Sequence, residues 1–87
     1  MKLKVKELGE ALHHSEVVVS VHTIGGDDEG LVLGKRSVRE GYISVGYPIR
    51  SEGDSFLVEL PRETSSGRWR VWVDKSQLKT VPEKEVA

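Results

Sequence analysis

Hydrophobic and polar positions alternate along much of this chain, and alternation at period two predicts strands with one buried face. In EVVVSVHTI, Val17, Val19 and Val21 share one face, while Val18, Ser20, His22 and Ile24 share the other. The segment is β-branched almost throughout, which suits a pleated, half-buried surface. GGDDEG, residues 25–30, follows as a polar hairpin loop leading to the strand LVLGKR; its glycines allow positive φ and its acids resist burial. SVREG breaks the pattern again before YISVGY, where Gly46 predicts a bulge or sharp bend.

The last hairpin has a register set by consistency. SFLVEL puts Phe56, Val58 and Leu60 on one face, and RWRVWV puts Trp69, Val71 and Val73 on one face and Arg68, Arg70 and Trp72 on the other. Pairing the two apolar sets sets Leu60 beside Trp69, Glu59 beside Arg70 and Leu57 beside Trp72, whereas a one-residue slip would bury arginines. Trp69 is thereby expected in the core. DKSQ then interrupts the alternation, LKTV resumes it for one short strand, and residues 82–87 read as a frayed tail.

The first dozen residues fit two periods. Leu3 and Val5 alternate with Lys2, Lys4 and Lys6, while Val5, Leu8 and Leu12 recur at helical spacing. The reading adopted is a short helix over 4–13, although Gly9 costs about 1 kcal/mol inside a helix. The whole is then mainly β: a small SH3-like antiparallel barrel of five to six strands over 16–81, with a short N-terminal helix, all in one domain, 1–87. An OB-like barrel is the runner-up, but the helix it places between strands three and four has no candidate segment. No internal repeat or linker is apparent.

Composition changes this picture little. The 87 residues include no cysteine, so neither disulfides nor Cys-based zinc sites are available. Thirteen basic against fourteen acidic residues give a formal charge of -1, which excludes a global positive field but leaves room for a local basic patch. MKLKVKELGE starts like a signal n-region without the apolar run that should follow, and no stretch approaches a membrane span. The expected setting is cytoplasmic.

Chemistry-bearing constellations are few. His13 and His14 are adjacent and cannot face one ion from a regular helix, and no acid completes a site with His22, so no metal is expected. The DDE of the 25–30 loop lacks the alternating oxygen donors of a calcium loop. No serine lies in a G-x-S-x-G turn, no phosphate-cradling loop opens a helix, and a barrel this small rarely encloses a substrate pocket; no enzyme and no cofactor are expected.

Two surface patches remain. Arg68, Arg70 and Trp72 on the outer face of the last hairpin, with Lys75 beyond and Arg62 before, combine cations with an aromatic ring. These residue types are enriched at protein hot spots and equally at single-stranded nucleic-acid sites. The plainer alternative pairs Arg70 with Glu59 and lays Trp72 over Leu57. In GKRSVREGY, Lys35, Arg36 and Arg39 cluster near Tyr42 as a nucleic-acid patch, with a solvated loop as the commoner outcome for such a charge block.

VWVDKSQL, 71–78, resembles the closing segment of small bacterial and phage-encoded proteins of uncharacterised function that end in a strand reading W-[I/V]-P-K-S-Q-[I/L]. Trp72, Val73, Lys75, Ser76, Gln77 and Leu78 match, and Asp74 replaces the proline. The resemblance implies a compact barrel and a bacterial or phage setting, so that the expected cytoplasm is that of a bacterium or of an infected host. The reading is therefore a non-enzymatic module that binds a protein partner and is open to self-association through a strand edge. The alternative is a nucleic-acid-binding module using the Arg/Trp face.

Overall fold

The alternating segments become strands and the glycine-rich and polar runs become their breaks. A computed structural model describes residues 1–80. It contains β1 (Lys2–Lys4), β2 (Lys6–Glu10), β3 (Glu16–Val21), β4 (Glu29–Gly34), a 3₁₀ turn (Lys35–Ser37) and β5 (Val38–Arg39). Then follow β6 (Tyr42–Ser44), β7 (Arg50–Glu52), β8 (Ser55–Glu59), β9 (Arg70–Asp74), a second 3₁₀ turn (Lys75–Gln77) and β10 (Leu78–Lys79). They form three antiparallel sheets: β10-β1-β6-β5, β2-β3-β4 and β7-β8-β9.

This order repeats. Each half of the chain is a strand, a three-strand meander, a 3₁₀ turn and a short strand. Leu31, Leu33, Lys35 and Val38 in the first half correspond to Val71, Val73, Lys75 and Leu78 in the second. The pairing repeats with them. Val19 faces Leu31 as Val58 faces Val71. Lys35 N donates to Ser15 O at 2.9 Å, as Lys75 N does to Asp54 O at 2.8 Å. The two halves meet at a pseudo-two-fold axis between Leu3 and Ile43, which are directly opposed in β1 and β6. Val5 N to Gly41 O and Val45 N to Met1 O are the matching bonds on either side.

The last strand of each half lies on the first strand of the other: β5 pairs with β6, and β10 with β1. Neither half alone completes the four-stranded sheet. The distal loops interlock too, Ser65 N donating to Gly30 O and Ile24 N to Trp72 O. One core results. Leu3, Val5, Val17, Val19, Val21, Leu31 and Leu33 from the first half pack with Ile43, Val45, Val58, Leu60, Val71 and Val73 from the second. Each fully buried side chain contributes roughly 1.5–3 kcal/mol.

Several expectations are corrected. The helix over 4–13 is absent: this segment is the strand pair β1–β2. The alternation prevails because Leu3 and Val5 reach the core that way, while the helical stripe buries nothing: Leu8 is 58% exposed and Leu12 fully so. Gly9 sits in a bulge where β2 shifts register on β3. The sheets are three separate ladders and do not close into a barrel. An internal repeat is present in the topology, although the two halves share few identical residues. The last-hairpin register is as expected, with Leu57 facing Trp72 and Glu59 facing Arg70. Trp69, however, lies just before β9 and is 52% exposed, so the expected core tryptophan is a surface residue. The tail over 82–87 lies outside the described residues.

Candidate nucleic-acid interface

In the four-stranded sheet, Leu3 and Ile43 point inward and are buried, and Val38 and Leu78 pack against the same core. The pleat therefore sends their neighbours outward. Across the outer face, Arg39 of β5 faces Tyr42 of β6, which faces Lys4 of β1. The pseudo-symmetric row runs the other way, with Lys79 of β10 facing Lys2 of β1 and Lys2 facing Ser44 of β6. The Lys79 ammonium lies 5.3 Å from the Tyr42 ring centroid, a cation–π contact made across β1.

Among the described residues, the outward strand positions of this face are Lys2, Lys4, Arg39, Tyr42, Ser44 and Lys79, with no acid; Lys4 also borders a cleft that holds Asp28 and Asp74. Among the described residues none of these cations joins an ion pair. Arg36, on the first 3₁₀ turn, is likewise outside those pairs and extends the patch. A cleft of about 230 Å³ is lined by Lys2, Arg36, Arg39, Tyr42, Ser44 and Pro61. A chain of net charge -1 thus concentrates cations on one sheet. No known family, curated protein or solved structure matches this chain.

The expected patch of Lys35, Arg36, Arg39 and Tyr42 is partly brought together. Arg36, Arg39 and Tyr42 share the cleft, whereas Lys35 turns toward Glu10, with 3.9 Å between Nζ and Oε1. Lys2, Lys4 and Lys79 complete the face and were not among the expected site residues. The signal for Lys2 and Lys4 is present in the Lys-Leu-Lys-Val-Lys alternation of residues 2–6, but it is cancelled when that segment is read as a helix; Lys79 lies in LKTV.

The expected partner-binding set is dispersed into internal contacts. Arg70 Nε is 3.2 Å from Glu59 Oε2, Lys75 Nζ is 3.2 Å from Asp54 Oδ1 and Arg62 Nη1 is 3.5 Å from Glu16 Oε2. Trp72 is half-buried opposite Leu57. Arg68 belongs to an interlock: its backbone N–H donates to Thr64 Oγ1 at 3.0 Å, and its guanidinium acts on Glu29. Glu29, expected in a solvated hairpin tip, instead opens β4 and is only 9% exposed. It accepts a hydrogen bond from the Ser66 hydroxyl. That bond, then one from Thr64, then the Arg68 charge hold its carboxyl below the ordinary range against the opposing effect of burial.

VWVDKSQL is likewise architectural. Asp74 caps the second 3₁₀ turn by accepting from Ser76 N at 2.9 Å, and the hydrogen bonds to Ser76 lower its pKa. Gln77 Oε1 accepts from Asp74 N, and Gln77 Nε2 donates to His22 O, both at 2.9 Å. The first 3₁₀ turn has no such cap. Arg36 and Ser37 stand where the second turn has Ser76 and Gln77, so the equivalent positions present a cation rather than a plug.

His22 Nδ1 lies 2.8 Å from Asp28 Oδ1 in a second cleft with Ser20 and Ser76. Among the described residues no serine hydroxyl is hydrogen-bonded to that imidazole, and no three His, Asp or Glu side chains converge as metal ligands. β2, an edge strand, is blunted by its bulge and by Lys6, Glu7 and Glu10, features that oppose edge-to-edge pairing.

Proposed function

We propose that this chain is a nucleic-acid-binding module, without catalytic function, whose contact surface is the outer face of the β10-β1-β6-β5 sheet. The observation that carries this reading is the set Lys2, Lys4, Arg39 and Lys79 around Tyr42, which among the described residues join no ion pair and have no acid beside them at the outward strand positions. Phosphate neutralisation supplies most sequence-independent affinity, and it requires cations not already committed to carboxylates. The Arg68, Arg70, Trp72, Lys75 and Arg62 set is a weaker candidate because three of its cations already hold acids. In each half, the order of meander, 3₁₀ turn and short strand supports an SH3-like reading with exchanged last strands. The bacterial or phage setting implied by VWVDKSQL, with a location in the bacterial or infected-host cytoplasm, is retained as part of the proposal.

A protein partner is the second reading. It is favoured by the exposed Tyr47 and Ile49, which line a shallow groove with Leu60 and Pro61, and by exposed Trp69, whose carbonyl accepts from Leu60 N.

The test is binding of fluorescein-labelled oligonucleotides as a function of salt. About four phosphate contacts give a log–log slope near -3.6, or roughly 150-fold weaker binding at 200 mM than at 50 mM salt. Arg36→Gln with Arg39→Gln should lower that slope by about 2. Binding that is absent at 50 mM salt, or unaltered in this variant, would refute the proposal.

A further inference from the structure

Outward positions on this face are paired about the pseudo-two-fold axis, and one of the three pairs is cationic in both members. Arg39 and Lys79 are equivalent positions in the two halves, on the two outermost strands of the four-stranded sheet. Three strand spacings, about 14 Å, separate the strands that carry them; in this structure the Lys79 ammonium rests inward over Tyr42, so reaching a second phosphate row requires that side chain to extend toward its own edge. Lys2 and Tyr42 are equivalent, as are Lys4 and Ser44, and all four lie between those edges.

A single nucleic-acid strand is usually held by bases stacked in succession on aromatic platforms. This face offers one ring, and Lys79 already lies over it. A duplex makes a different demand: two phosphate rows on either side of a groove, related by local two-fold axes. The major groove of B-form DNA is about 12 Å wide, comparable with the span between the two edge strands.

We infer that the face binds duplex DNA by its two backbones, straddling a groove with the pseudo-two-fold axis along a duplex dyad, Arg39 on one strand's phosphates and Lys79 on the other's. Tyr42 and Lys2 sit over the groove and position the flanking cations without reading bases. Such contacts carry no direct sequence information, so affinity is expected to be the same for unrelated duplex sequences. This rests on the proposed nucleic-acid reading and specifies its ligand.

The experiment measures anisotropy of a labelled DNA duplex and of each of its component strands, in the same buffer at 50 mM salt and above. The proteins are the full chain and the Arg39→Gln, Lys79→Gln and Tyr42→Leu variants, each checked for folding by circular dichroism. The duplex should bind at least tenfold more tightly than either strand. Arg39→Gln and Lys79→Gln should each reduce the salt slope by about 0.9, and Tyr42→Leu should change duplex affinity less than threefold. Component strands binding as tightly as the duplex, or a loss of roughly fivefold or more from Tyr42→Leu, the scale of a lost stacking contact, would overturn the inference while leaving nucleic-acid binding intact. Binding of neither form at 50 mM salt would overturn both.

Discussion

Replacing Ser66 by alanine probes the interlock between the two halves. Glu29 belongs to the first half and Ser66 to the long β8–β9 loop of the second, so their hydrogen bond fastens one half to the other. Hydrogen bonds to charged groups contribute about 1.5–3 kcal/mol, and Glu29 is, as a whole residue, only 9% exposed. The expected cost at pH 7 is therefore ~2 kcal/mol, a fall of ~10 °C in melting temperature for a domain of this size. The effect depends on pH with a definite sign. Glu29 ionises below its ordinary value of 4.5 in the folded chain and regains that value on unfolding. Its stabilisation is thus complete above 4.5 and is lost as pH falls through the lowered folded pKa. Thermal unfolding followed by circular dichroism at pH 7 and pH 3 should show the gap between wild type and Ser66→Ala narrowing in acid. An equal gap at both pH values, or none at pH 7, would refute this account of the interlock.

Other outcomes follow from burial and backbone geometry. Ile43→Ala, at the pseudo-two-fold axis and 1% exposed, should cost about 2–5 kcal/mol. Trp69→Ala, at a half-exposed site, should cost about 1 kcal/mol or less by urea unfolding. The two-residue turn between β5 and β6 has Glu40 at φ 54° and Gly41 at φ 81°, as a type I′ hairpin requires. Gly41→Ala should therefore destabilise by about 1–2 kcal/mol, visible as a lower urea midpoint with an unchanged slope.

Strands and register were legible wherever alternation was uncontested. Val17 to Val21 and the hairpin pairing of Glu59 with Arg70 follow from period two and the cost of burying arginine. The N-terminal segment was not, because Val5 serves both periods, alternating with Leu3 and recurring at helical spacing with Leu8 and Leu12. Only the β6 partner, with Ile43 facing Leu3, decides between them, and that contact is remote in sequence. The repeat was hidden for a related reason: its halves conserve inward apolar positions and the 3₁₀ turns, while the outward positions have diverged, as Val32 has from Trp72. Trp69 was misplaced because alternation was extended one residue beyond the strand. Of the candidate site, Arg36, Arg39 and Tyr42 were visible as a local cluster. Lys2, Lys4 and Lys79 reach them only through the exchanged pairing of β1, β6 and β10.

The central claim is that the cationic sheet, not the Arg/Trp face, meets nucleic acid. A two-dimensional ¹H–¹⁵N NMR titration of the labelled chain with a DNA duplex tests it residue by residue. Amide shifts should concentrate at Lys2, Lys4, Arg39, Tyr42, Ser44 and Lys79, with Arg70 and Trp72 unmoved. Shifts centred on Arg70 and Trp72 with the sheet unmoved, or no shifts at any duplex concentration, would contradict it.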